Sequence, residues 1–129
     1  MLIMLKKILI MLVLVVMISA PVSAEFIVHA GTEVTDDLEI LDVEKDTYKY
    51  GEEVYVLAYH PYGTFGQDYL EVTLIDTSGL GESILERVDM EIDSEWDVAG
   101  LPLTLNPGEY RIKFASFEDS GSVRLNIVE

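Results

Sequence analysis

The stretch Leu101–Ser116, LPLTLNPGEYRIKFAS, restricts the fold of this chain more than any other. A short apolar strand enters a Pro-Gly corner and leaves as a second strand that begins with tyrosine. Pro107 fixes φ and removes a backbone donor where no ladder is wanted, and Gly108 supplies the freedom to reverse direction. From Tyr110 the residues alternate, with Tyr110, Ile112 and Phe114 on one side and Arg111, Lys113 and Ala115 on the other. That period of two is the signature of a half-buried antiparallel strand. Such a strand needs neighbours and an opposing apolar layer, which the remaining residues must supply.

They do so in strand-sized pieces. Residues 25–37, EFIVHAGTEVTDD, read as a lead-in segment or a first edge strand. In LEILDVEKDTY, Leu38 and Ile40 share one parity and Leu41 and Val43 the other, a phase change expected of a bulged strand that shifts between sheets. Gly51 makes a turn, and Val54–Tyr59 is apolar throughout, as a strand covered on both faces would be. Leu70, Val72 and Leu74 alternate with Glu71 and Thr73. Val88, Met90, Ile92, Trp96 and Val98 share one parity, which assigns Trp96 to the core, while Asp89, Glu91, Asp93, Glu95 and Asp97 form an acidic ladder on the other. Val123, Leu125 and Ile127 give the last inward face. No helical period is sustained beyond the N-terminal segment, so the expected fold is an all-β antiparallel sandwich of about seven strands, spanning residues 38–129.

The first 24 residues have a different character. Lys6 and Lys7 precede the apolar run Ile8–Ile18, and Pro21, Val22, Ser23 and Ala24 follow, the three parts of a secretory signal peptide. Cleavage after Ala24 leaves 105 of the 129 residues, one domain's worth, with no membrane span; retention as an anchor is the competing reading. All 24 acidic residues but only six of the eight basic ones then remain, a net charge of −18, which argues against nucleic acid and anionic lipid as partners. The chain has no cysteine, although an exported chain meets conditions that permit disulfides, so its core must suffice. The expected location is extracellular, either secreted or at the cell surface.

Three groups of side chains are candidates for contact with something else. The loop HPYGTFGQ with its flanks gathers Tyr59, His60, Tyr62, Phe65 and Tyr69, which either stack on a sugar ring or partner or fold back over the end of the sandwich. Asp93, Glu95 and Asp97 form a weak cation face if the chain bends near Ser94. Same-face residues of a straight strand lie about 6.6–7 Å apart, too far for one Ca²⁺ with ligands at about 2.3–2.6 Å. Arg111 and Lys113 should lie beside Arg124, with Glu71 on the neighbouring strand neutralising part of that charge. The alternative there is a basic patch that docks on the acidic ladder of another copy. His29 and His60 have no evident ligand partner, and nothing resembles a nucleophile elbow or phosphate loop, so no enzyme and no cofactor are expected.

Two motifs, DTYKYGEEVYV (residues 46–56) and LNPGEYRI (residues 105–112), resemble those of secreted prokaryotic immunoglobulin-like and fibronectin-III-like domains and of macroglobulin MG2-type domains. In that resemblance Gly51 turns into the second strand, and Tyr110, behind Pro107 and Gly108, latches a tyrosine corner through a hydroxyl bond to upstream backbone. It implies an immunoglobulin-like sandwich and a non-catalytic extracellular module that associates with a protein or cell-envelope component. The competing function is a small-ligand binder, for carbohydrate through residues 59–69 or for Ca²⁺ through residues 89–97.

Overall fold

A computed structural model describes residues 25–129; the expected signal segment, 1–24, lies outside them. Eight strands follow in order: β1 (Ile27–Gly31), β2 (Thr47–Lys49), β3 (Val54–Tyr59), β4 (Tyr69–Asp76), β5 (Ser83–Glu91), β6 (Val98–Leu103), β7 (Gly108–Ala115) and β8 (Ser120–Val128). They form a three-stranded sheet, β1-β3-β6, and a five-stranded sheet, β2-β8-β7-β4-β5. All pairings are antiparallel except β2 with β8, which run parallel. The fold is all-β, and among the described residues no helix is long and apolar enough to cross a membrane.

Alternation explains the core. Val28 and Ala30 of β1, Val54, Val56 and Ala58 of β3 and Ala99 of β6 meet Leu70 and Val72 of β4, Ile112 and Phe114 of β7, and Leu125 and Ile127 of β8 in one buried cluster. The three-stranded sheet contributes small residues and the five-stranded one larger ones, a combination that lets two layers interdigitate. Tyr110 lies near the start of β7, as its third residue. Its hydroxyl donates to the Asn106 carbonyl at 2.8 Å, closing the corner that Pro107 and Gly108 open. Gly108 has φ +155°, and Gly51, at φ +97°, sits in the turn closed by Glu52 N–H on the Lys49 carbonyl.

Three expectations about strands need correction. Residues 38–46 are not a bulged strand. After the isolated bridge Val34–Ile40 the chain turns repeatedly and becomes regular only at Thr47. The reason is local, because Asp42 offers the backbone something better than a ladder: its carboxylate accepts from Thr32 N–H at 3.0 Å, Thr32 Oγ1 at 2.7 Å and Glu33 N–H at 3.1 Å. Burial alone would raise the Asp42 pKa, but these hydrogen bonds outweigh it and hold the carboxyl below its ordinary value. Gly31 makes the approach feasible, since a Cβ there would collide with the Asp42 carboxylate and with Ile40.

The second correction concerns the single parity from Val88 to Val98. β5 ends at Glu91 and β6 begins in the other sheet at Val98, so residues 92–97 are a crossing between layers. Asp93 turns the chain there: Trp96 N–H donates to its carbonyl at 3.0 Å and Glu95 N–H to its Oδ1 at 2.9 Å. Third, the strands number eight instead of about seven; the lead-in supplies β1 at a sheet edge, one of the two readings expected of it.

Candidate functional site

The aromatic residues around the first long loop are separated by the fold. Phe65 is buried, edge-on to Phe26 with ring centroids 5.4 Å apart, and His60 packs against both. His60 Nδ1 accepts from Tyr62 N–H at 3.2 Å, and its Nε2 lies 3.8 Å from Asp119 Oδ2. Tyr59 leaves the loop altogether. Its ring leans on His29, its hydroxyl donates to the Leu38 carbonyl at 2.8 Å, and burial, with Glu39 nearby, raises its pKa. Tyr69 packs edge-on to Phe117. Tyr62 alone stands out, 81% exposed. The loop therefore lays Phe65 and His60 over one end of the core and presents a single ring to solvent.

The acidic ladder is also divided. Asp89 and Glu91 belong to β5, whereas Asp93, Glu95 and Asp97 sit in the crossing, all exposed. Asp93 spends one oxygen on the Glu95 amide, and among the described residues no three His, Asp or Glu side chains converge as cation ligands.

Trp96, assigned to the core by parity, is half exposed, because the turn at Asp93 rotates it out of the sandwich. It lines a hollow of about 380 Å³ with Leu38, Leu57, Val98 and Gly100, and Glu95 and Asp97 stand on the same rim. Leu38 holds a positive φ of 62° there, a conformation unusual for leucine and fixed by its N–H on Thr35 and its carbonyl under Tyr59. The sequence signal for this hollow was the Asp93-Ser94 pair, a turn-former in mid-run that resets parity.

On the outer face of the five-stranded sheet, the register sets Arg111 directly opposite Arg124, as expected. The neutralising carboxylate is a different one. Glu82 Oε1 accepts from Arg111 Nη2 at 2.6 Å, and Glu71 instead lies 3.8 Å from Arg87. The hydrogen bond from Arg111 lowers the Glu82 pKa, and the charges of Arg111 and Arg124 act in the same sense. Glu82 reaches Arg111 because β4 and β5 slip register between Leu74 and Ile75, which carries the turn back over β7.

β5 is the feature that sequence reading missed. It is nine residues long and has no buried residue; Ile84, Leu85 and Val88 are 57, 52 and 43% exposed, and only Met90 near its end packs on the core. Among the described residues five strands face three, and β5 is an outermost one, hydrogen-bonded on one side by β4 and open on the other. Val88, opposite the buried Val72, points inward as its parity reads but stays exposed, whereas Ile84, opposite Ile75, shares the outer face with Arg111. No protein-family model matches this chain, and a search of the curated proteins finds no relative.

Proposed function

We propose that this chain is an exported, non-catalytic immunoglobulin-like module that works by associating with a protein or cell-envelope component outside the cell. One observation carries the reading: a long open strand with no proline leaves three aliphatic side chains and a row of backbone donors and acceptors facing solvent. Exposed apolar side chains on an unpaired edge are the features extended partners use for strand addition. The immunoglobulin-like assignment draws support from the order β1-β3-β6 over β8-β7-β4-β5, from the first part of the chain being shared between sheets as β1 and β2, and from the Tyr110 corner. Export rests on the character of residues 1–24.

The test is binding of purified protein to envelope fractions of the producing cells, with Leu85→Glu/Val88→Glu as the comparison. The reading expects the doubly substituted protein to lose binding while melting within a few degrees of wild type. Equal binding by both proteins, or none by either, removes it.

A second reading has its own observation, the half-exposed Trp96 between Glu95 and Asp97. An indole face accepts the C–H face of a sugar ring, and flanking carboxylates accept its hydroxyls. Carbohydrate would then bind at Trp96 and not at residues 59–69. Trp96 is the only tryptophan, so its fluorescence reports on this hollow alone; a titration with envelope glycans that leaves the emission unchanged eliminates this reading.

A further inference from the structure

We infer that the occupant of the open β5 edge is β5 of a second copy, paired antiparallel about a two-fold axis at Val88. This rests on the association reading above and specifies its partner.

The backbone comes first. Just beyond β5, Ile92 N–H donates to the Asp68 carbonyl at 3.0 Å, and the ladder continues from there as Glu91 with Tyr69, Met90 with Leu70, Asp89 with Glu71 and Val88 with Val72. In an antiparallel pair, successive residues turn their N–H and C=O alternately toward and away from the neighbour. Ile92, Met90 and Val88 therefore point theirs at β4. Arg87, Asp89 and Glu91 point theirs at the open edge, where no strand among the described residues receives them.

Only registers that match these free groups to each other can form, and charge chooses among them. An axis at Arg87 sets Arg87 against its own copy, and an axis at Asp89 sets Asp89 against its own copy. An axis at Val88 places Arg87 opposite Asp89 of the second molecule, twice by symmetry, through backbone pairs that use the free groups. Val88 then meets Val88 in a closely spaced, non-hydrogen-bonded pair, where side chains approach most nearly. Glu86 falls opposite Met90, its carboxylate reaching solvent past the uncovered end of the layer.

The same strand limits how far pairing extends. The slip between Leu74 and Ile75 and the inward Glu86 disrupt the half from Ser83 to Leu85, as guarded edges do. Arg87, Val88 and Asp89 form the regular part, and there the pattern basic-apolar-acidic is complementary to itself when reversed. The two five-stranded sheets become one of ten strands.

The experiment is sedimentation equilibrium of the purified protein from micromolar to millimolar concentration, at about 0.15 M salt so that the net charge is screened beyond roughly 8 Å. Wild type, Arg87→Asp, Asp89→Arg and the double reversal are compared, with circular dichroism confirming that each is folded. Wild type is expected to dimerise, each single reversal to weaken the dimer about tenfold or more, and the double reversal to restore it to within about threefold of wild type. A monomeric wild type at millimolar concentration overturns the inference, as do single reversals that dimerise like wild type or a double reversal no tighter than the singles. A monomer whose Arg87 and Asp89 amides gain exchange protection only when envelope fractions are added overturns the second copy as occupant and leaves the association reading standing. A dimer that ignores envelope fractions does the opposite.

Discussion

β2 and β5 are the two outer strands of one sheet, and they are held by opposite means. β2 has three residues, one of which, Tyr48, is 1% exposed. The Tyr48 hydroxyl donates to the Lys45 carbonyl at 2.6 Å, the Lys45 ammonium lies 5.1 Å from its ring centre, and Lys45 approaches Glu52 at 3.6 Å. β5 has nine residues and no comparably buried anchor; its backbone ladder to β4 holds it, and only Met90 near its end touches the core while the other side chains are exposed. An edge can thus be secured by one deeply buried side chain or by many shallow backbone bonds. Only the second kind leaves a surface that another strand can use.

That contrast can be broken most severely at Tyr48. Tyr48→Ala should cost about 3–5 kcal/mol, the range for removing a buried aromatic, and lower the thermal midpoint by more than about 10 °C. A midpoint within a few degrees of wild type would mean that β2 is no better anchored than β5. The next largest effect is alkaline. Burial, with the nearby charges of Asp42, Asp46 and Glu52, pushes the Tyr48 pKa up to about 12. The unfolded state ionises near pH 10, so the stabilisation is complete below that pH and is lost as the pH rises through 12, a fall on the order of 2–3 kcal/mol. Denaturant titrations at pH 9 and pH 12 measure it, and Tyr48→Phe should flatten the difference.

Smaller effects sharpen the comparison. At neutral pH, Tyr48→Phe removes the hydroxyl bond to Lys45 and should cost about 1 kcal/mol; Tyr110→Phe should cost about the same through Asn106. Asp42→Asn should make the fold less sensitive to acid, because the lowered Asp42 pKa gives stability that is present above the unfolded value and lost as pH falls through the folded one. Urea midpoints at pH 3 and pH 7 read that difference. Least of all, Val88→Ala should change the stability of the dilute protein by no more than about 0.5 kcal/mol, since the side chain is already 43% exposed. A larger loss would show that β5 is anchored after all.

Much of the architecture was legible wherever two-residue alternation coincided with cover on one face. β3, β4, β7 and β8 are strands for the reason their residues suggest, and Tyr110 closes its corner as the Pro-Gly step before it indicates. Two kinds of information were hidden. Parity describes which way a side chain points but not whether anything lies opposite: Val88 points inward as read, and is left uncovered because five strands face three. Parity also holds only while the chain stays extended. Leu38, Leu41 and Val43 in the Asp42-centred turns, and Trp96 after Asp93, lie where side-chain carboxylates capture backbone amides and end the period. The candidate surfaces arise at these two failures, which is why composition and alternation did not reveal them.

β8 has a consequence for synthesis. It comes last of the eight strands in chain order, yet it lies between β2 and β7, and its first residue, Ser120, accepts a hydrogen bond from the Phe26 amide. Tyr48 and Phe26 therefore wait for partners about 80 to 95 residues downstream, and a nascent chain lacking that final segment cannot seat β2 in its larger sheet. Closure of the larger sheet at β2 is postponed until nearly all of residues 25–129 are available, because its pairing there needs the last strand.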